Sequence, residues 1–176
     1  MKKIVFFVIV IIFAIVLFAV VAIGFNKTKN PFEISMTSDK TEARRGETIK
    51  ITVAINNILD NDGIWAISGK LQYDTAVFEK IQADDGISDN IESAKEWGTV
   101  IFNDGSQKKE NEGLFVVETS ADYGVKEDNE IMYISFKILD TAQLGNSVIK
   151  ITNISGTNGN EDIETKEADI KIKIKE

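Results

Sequence analysis

Histidine and cysteine are both absent from this sequence of 176 residues. Without histidine there is no imidazole general base, no Ser–His pair and no imidazole ligand for zinc. Without cysteine there is no disulfide, no thiolate nucleophile or metal ligand, and no lipid-modified cysteine. Neither common glycine-rich phosphate loop is present. Two carboxylates could still hydrolyse a glycoside, but only Glu118 lies in an apolar run, and as a strand-end residue it should face solvent. We therefore predict no enzyme, no metal and no cofactor.

Charge is missing from residues 4–25, an unbroken apolar run of 22 residues that follows Lys2 and Lys3. As a helix the run would be about 33 Å long, enough to cross a hydrocarbon core of about 30 Å. The positive-inside tendency keeps the two lysines in the cytoplasm and places the remainder outside. Two interpretations stay open: a retained signal-anchor or transmembrane helix over residues 1–25, or a signal peptide cleaved near residues 22–24. In both, the folded part is exported, either as a single-pass protein of the cell membrane or as a secreted one.

Proline occurs once, at Pro31, which ends a short polar linker over residues 26–31. Residues 32–176 are numerous enough for one domain of ordinary size. All 28 acidic residues but only 18 of the 20 basic ones follow the apolar run, so this part of the chain has a net charge of −10. Such a charge argues against binding nucleic acid or an anionic surface.

Alternation of apolar and polar residues predicts about nine β-strands and no convincing helix after the linker. The pattern is clearest at residues 49–55 and 168–174. Residues 76–83 are predicted to form a further strand, whereas the apolar segment 114–119 has no clear polar face and cannot be phased. The lysine-rich last strand is typical of a guarded, exposed sheet edge. With turns of Gly, Asn and Asp between the strands, the sequence predicts an all-β, antiparallel sandwich or barrel.

Two acidic turns and two tryptophans are the remaining candidates for chemistry. Residues 60–63 and 158–162 carry oxygen ligands that suit calcium, but they lack the order of an EF-hand loop, so we predict plain turns. Trp65 lies on the predicted inward side of its strand, which favours a core position over a sugar-stacking platform. For Trp97, beside Gly98, both interpretations stay open.

Three segments, in this order, resemble the cohesin-domain family. GETIKITV at residues 46–53 is similar to the family's glycine-led second strand, and GKLQYDTAVFE at residues 69–79 resembles its hallmark strand. ISFKI at residues 134–138, with Gly145 downstream, is similar to its late strand and turn. Thr75 departs from the family, which usually has proline there; the change alters the rigidity of the turn and not its chemistry. The resemblance covers roughly residues 34–174.

The resemblance implies a nine-stranded jelly-roll sandwich whose flat face binds a dockerin, a small calcium-folded module carried by another secreted protein. It also implies that this face uses strands matching residues 63–73, about 99–103, 114–119 and 130–139. The outward-facing residues, and thus the candidate partner-binding set, are Ala66, Ser68, Lys70, Gln72, Tyr133, Ser135 and Lys137. Polar members would fix the register of binding, and Tyr133 would supply buried area.

The function expected from this resemblance is display of a dockerin-bearing enzyme or adhesin at the cell surface, linked to polysaccharide degradation in a cellulosome-type assembly. Two alternatives remain. A carbohydrate-binding sandwich of similar topology would bind polysaccharide directly and depend on Trp97. A structural protein of the cell envelope would self-associate without any ligand.

Overall fold

The computed structural model describes residues 31–103 and 112–176. These residues form eleven β-strands in two sheets and no helix, which confirms the predicted all-β sandwich. In chain order the strands are β1 (Glu33–Ser38), β2 (Glu42–Arg44), β3 (Thr48–Asn56), β4 (Ala66–Gln72), β5 (Ile91–Ser93), β6 (Ile101–Asn103), β7 (Glu112–Glu118), β8 (Asn129–Lys137), β9 (Gly145–Thr157), β10 (Asp162–Glu164) and β11 (Ala168–Lys175). The expected helix over residues 4–25 lies outside the described part. Within that part, no helix has the length and apolar character needed to cross a membrane.

The two sheets differ in size and are named here by their strand number. The four-stranded sheet has the order β1-β3-β8-β5. The seven-stranded sheet has the order β2-β11-β9-β4-β7-β6, with β10 paired to β9. Neighbouring strands are antiparallel except β2 and β11, which are parallel. That pair is a correction to the purely antiparallel sheet expected from the sequence.

The core lies between the inner sides of the two sheets, where the alternating apolar residues meet. Ile49, Ile51, Val53 and Ile55 of β3 are all fully buried, as their period of two predicts. Aromatic rings fill the space between the sheets; Phe136, for example, packs 4.9 Å from Tyr73 and 5.3 Å from Phe78, centroid to centroid. Ring contacts at these distances add to the energy of burial.

The strand predicted at residues 76–83 is wrong. Asp74 ends the preceding segment in a turn: its carboxylate accepts a hydrogen bond from the Ala76 N–H at 2.9 Å, and its carbonyl accepts from the Phe78 N–H at 2.8 Å. An aspartate that bonds to the following backbone in this way competes with strand pairing. Only Phe78 keeps a ladder contact, an isolated bridge to Ile138.

Three strands of three residues each, β2, β5 and β10, were not predicted, because such short segments show no period. The first of them corrects the expected sheet edge. β2 pairs with β11 at Lys173–Lys175, so the last residues of the lysine-rich strand are covered and do not form the edge. Glu42 of β2 forms ion pairs with Lys173, at 3.1 Å, and with Lys175. The two lysines thus bind the edge strand β2 to the sheet.

Candidate functional site

The seven residues predicted to bind a partner lie on two different sheets. Ala66, Ser68, Lys70 and Gln72 are on β4, in the seven-stranded sheet, whereas Tyr133, Ser135 and Lys137 are on β8, in the four-stranded sheet. Since both sets point away from the core, they face opposite sides of the sandwich. The prediction that segment 130–139 shares a face with the others is therefore wrong. Alternation shows which side of a strand faces outward, but it does not show which sheet the strand joins.

The outer side of the four-stranded sheet is polar, and its charged groups pair with one another. The Tyr133 hydroxyl donates a hydrogen bond to the Glu130 carboxylate, which raises the pKa of the phenol above its ordinary 10.0, with partial desolvation as the next cause. The Lys50 ammonium lies 4.2 Å from the Tyr133 ring centroid and 3.6 Å from the Glu92 carboxylate. Tyr133 is thus already held by contacts within its own sheet.

The outer side of the seven-stranded sheet is centred on β4, which lies between β9 and β7. In the β4–β7 register, Ser68 stands opposite Val116 and Lys70 opposite Leu114. The Lys70 ammonium lies 3.8 Å from the Glu112 carboxylate, to which the Gln72 amide also donates a hydrogen bond at 2.9 Å. Ala66 stands opposite Glu118, so all four predicted residues of β4 are next to groups on β7.

An apolar strip, defined as Ile101, Leu114 and Val116, lies on this same outer side. The three side chains are 50%, 48% and 37% exposed, and Ile101 stands directly opposite Val116 in the β6–β7 register. By contrast, no large hydrophobic residue on the strands of the four-stranded sheet is exposed in the described structure. Contiguous exposed apolar residues with a polar rim are typical of protein-interaction sites.

Sequence reasoning missed the apolar strip because segment 114–119 could not be phased. In the structure β7 alternates regularly: Phe115 and Val117 are buried, and Leu114 and Val116 are exposed. A usable signal was present in the two glutamates that bracket the strand. Glu112 and Glu118 have the same parity as Leu114 and Val116, and glutamates at both ends of a strand indicate that the even positions face outward.

The structure corrects the prediction for Trp65 and decides between the two interpretations left open for Trp97. Trp65 was expected in the core but is 37% exposed, because Ile64 takes the interior position through its bridge with Val125 before β4 begins. Trp97 is 3% exposed, and its Nε1 has no hydrogen-bond partner in the described structure. A tryptophan in that position cannot stack on a polysaccharide.

The two acidic segments form turns, and a hydrogen bond joins them. One carboxylate oxygen of Asp60 accepts from the Asp62 N–H at 2.8 Å, and the other accepts from the Asn158 side-chain amide at 3.0 Å. Over residues 31–103 and 112–176 no three acidic side chains come close enough together to hold a metal ion.

Fold and surface together define a β-sandwich binding module with a partly apolar sheet face. The profile of the cohesin-domain family matches residues 34–174, so the chain belongs to that family. The resemblance drawn from residues 46–53, 69–79 and 134–138 is thereby confirmed. A search of curated protein sequences found no match.

Solved structures with the same fold come from both bacteria and archaea. A cohesin module from a Clostridium perfringens family 33 glycoside hydrolase superposes with a TM-score of 0.67 at 11% identity, covering 83% of this chain and 98% of that one. The sixth cohesin of Acetivibrio cellulolyticus scaffoldin B, solved in complex with a mutant dockerin, gives 0.58 at 15% identity, with 83% and 100% covered. A non-cellulosomal cohesin from Archaeoglobus fulgidus gives 0.56 at 15% identity, with 82% and 92% covered. At these identities the likeness concerns the fold alone.

Proposed function

We propose that this chain is an exported, non-catalytic module that binds a dockerin-bearing protein through the outer side of its seven-stranded sheet. The observation that carries the proposal is the apolar strip, Ile101, Leu114 and Val116, exposed beside the polar side chains of β4. Support from relatives comes from cohesins of the same fold that were solved in complex with dockerins. Those complexes describe other proteins, and dockerin binding by this chain is our inference from them.

The physical argument rests on the arrangement of apolar and charged groups. An apolar centre that loses its water on binding supplies most of the energy of an interface, and a polar rim fixes its orientation. Here the strip would form the centre, with Lys70, Glu112 and Glu118 at its border. Of the predicted set, Ala66, Ser68, Lys70 and Gln72 belong to this surface. A contribution from Tyr133, Ser135 and Lys137 would require a second contact on the opposite side.

We also propose that residues 4–25 hold the module at the outer side of the cell membrane as a retained anchor. The length and apolar character of this segment support the proposal, and cleavage with secretion is the alternative. The linker over residues 26–31 is short, so the module would display its partner close to the cell surface. The bound cargo would be an enzyme or adhesin that acts on polysaccharide.

The test is capture of secreted proteins of the source organism by the full-length chain in detergent, with and without a calcium chelator. We expect capture of a protein in which mass spectrometry identifies a dockerin, and release by the chelator because dockerins fold around calcium. The captured dockerin is then titrated against three variants of the chain. Leu114→Asp and Val116→Asp should weaken binding at least tenfold, since each would place a carboxylate at the apolar centre of the interface, where the loss of its water is costly.

The matched control is Ser135→Asp, which places the same charge on the outer side of the four-stranded sheet. We expect it to leave the affinity within about twofold of the wild-type value. Equal losses from Leu114→Asp and Ser135→Asp would contradict the assignment to the seven-stranded sheet. Failure to retain any dockerin at micromolar concentration would contradict the function itself, and self-association without a ligand would favour a structural role in the envelope.

A further inference from the structure

A second site, a shallow and open cleft, lies at the end of the sandwich where β4 begins. The turn at residues 60–63, the connection at residues 119–125 and the turn at residues 158–162 meet there around a cleft of about 520 Å³. This volume is within the range of small-molecule sites, about 300–1,000 Å³. The side chains that line the cleft and carry the argument are Asp62, Trp65, Tyr123, Lys126 and Asn160.

Two aromatic side chains form the apolar part of the cleft. Trp65 is 37% exposed and Tyr123 is 61% exposed, although rings of this size are usually buried. The backbone of Trp65 is held on both sides: its N–H donates to the Thr157 carbonyl at 2.7 Å, and its carbonyl accepts from the Thr119 N–H at 2.8 Å. Trp65 is therefore an exposed aromatic on a fixed backbone.

The backbone beneath the aromatics is closely packed. Gly63 and Gly124 lie so near each other that a Cβ on Gly63 would meet the Gly124 carbonyl at 2.7 Å. Next to them, Ile64 and Val125 exchange two hydrogen bonds of 2.9 Å each. The connection at residues 119–125 is thus fixed against the start of β4, and the separation between the two aromatic positions is set by the fold before any ligand binds. Preorganisation of this kind lowers the entropic cost of binding.

Asn158 shapes the polar wall of the cleft from below. Its side-chain oxygen accepts hydrogen bonds from the Asn160 and Glu161 N–H groups, both at 3.0 Å, and its amide donates to Asp60. These bonds hold the turn that presents Asn160 to solvent. Because the polar atoms of Asn158 are already paired, it positions the wall and does not itself contact a ligand.

Three polar side chains at the rim remain available. Asp62, Lys126 and Asn160 are exposed, and within the described residues none of their side chains forms a hydrogen bond or an ion pair. Together they offer a carboxylate acceptor, an ammonium donor and an amide that does both. The cleft therefore combines two apolar aromatic surfaces with uncommitted donors and acceptors at one edge.

From this combination we infer that the cleft binds a neutral oligosaccharide. A pyranose ring has an apolar C–H side that packs against an indole or phenol ring, and an equatorial edge of hydroxyls that pair with carboxylate and amide groups. Asp60, Asp62 and Asp122 give the surrounding turns a negative charge, which disfavours phosphorylated ligands and anionic lipid headgroups. The site is separate from the apolar strip and does not depend on the proposed dockerin binding.

The two tryptophans of the chain provide a direct measurement of this site, because one lies in the cleft and the other in the core. In the variant Trp97→Phe all tryptophan emission comes from Trp65. The full-length chain is kept in lauryldimethylamine oxide, a detergent without a sugar headgroup, and titrated with cellohexaose, xylohexaose and chitohexaose. At least one of the three should shift or quench the Trp65 emission in a saturable way and protect it from iodide quenching.

Variants then assign the binding to the cleft by calorimetric titration of the hexasaccharide that binds. Trp65→Ala and Tyr123→Ala should each weaken binding at least about tenfold, since each removes one stacking surface. In Trp65→Ala the emission of buried Trp97 reports that the sandwich is still folded. The control Leu114→Asp, on the apolar strip, should bind the sugar like the wild type. Absence of binding to all three hexasaccharides, binding that survives both aromatic variants, or its loss in Leu114→Asp would overturn the inference.

Discussion

Gly113 of β7 gives the most direct test of how the seven-stranded sheet is packed. It lies beneath the apolar strip on the inward side of its strand, against the ring of Phe102, which is 1% exposed. A Cβ at residue 113 would lie 2.0 Å from Cζ and 2.4 Å from Cε2 of that ring. In Gly113→Ala the ring would have to move by more than about 1 Å in an interior that is closely packed.

The expected effect follows from two opposing contributions. Overpacking of a core typically costs about 1–3 kcal/mol, while alanine for glycine lowers the entropy of the unfolded chain and returns about 0.4–1 kcal/mol. We therefore expect Gly113→Ala to lower the free energy of unfolding by about 1–2 kcal/mol, and the melting temperature by about 2–8 °C. Urea unfolding, followed by the combined emission of Trp65 and Trp97, measures the change.

Gly98→Ala is the matched control, because its nearest neighbour, the Glu118 carbonyl, would be 3.4 Å from the new Cβ and its φ is not in the left-handed region. Its free energy of unfolding should stay within about 0.5 kcal/mol of the wild-type value. Adding Phe102→Leu to Gly113→Ala makes room for the methyl group. The free energy of unfolding of the double variant should therefore fall by less than the sum of the decreases in the two single variants. Equal stability of the two alanine variants, or strict additivity in the double variant, would refute this account of the packing.

Two further predictions concern a buried side chain and an edge strand. The free energy of unfolding of Trp97→Phe should stay within about 1 kcal/mol of the wild-type value, because loss of the unpaired indole N–H offsets the lost ring volume. Trp97→Ala should lower the free energy of unfolding by about 3–5 kcal/mol. Urea unfolding followed by circular dichroism measures both values. The hydrogen bonds from Lys175, and next those from Lys173, hold the pKa of Glu42 below its ordinary 4.5. The stabilisation that the ionised Glu42 gains from the two lysines is therefore complete above pH 4.5 and is lost as the pH falls through the lowered pKa. An NMR titration of the Glu42 carboxyl should show the low pKa and its return toward 4.5 in Lys175→Gln; an unchanged pKa in that variant would argue against this cause.

The sequence predicts the strands with long alternation well, and the reason is local. In β3 and β8 each inward residue is apolar and each outward one is polar over most of the strand, so the period fixes both the strand and its phase. The cohesin resemblance is confirmed for a related reason, since its motifs lie on such strands. The apolar pattern of residues 76–83 wrongly predicts a strand, because Asp74 bonds to the backbone that follows it and forms a turn there.

The candidate site was predicted only in part, because it depends on pairings between distant residues. Which sheet β8 joins is decided by its pairing with β3 and β5, which no local pattern contains. Trp65 shows a related limit: one bridge between Ile64 and Val125 changes the phase at the start of β4. The outward side of β7 was recoverable from its flanking glutamates, whereas its place next to β6 was not.

The position and register of β1 determine how the module would carry a mechanical load. The Pro31 carbonyl accepts a hydrogen bond from the Leu59 N–H at 2.7 Å, and from that end β1 runs into the sandwich with Glu33 to Ser38 paired to β3. A pull on the residues that precede Pro31, opposed by a partner on the seven-stranded sheet, would act along β1. All six residue pairs of the β1–β3 ladder would then be sheared together, whereas a crosswise pull would open them one by one. Tension applied from this end would therefore be shared along the whole length of the strand.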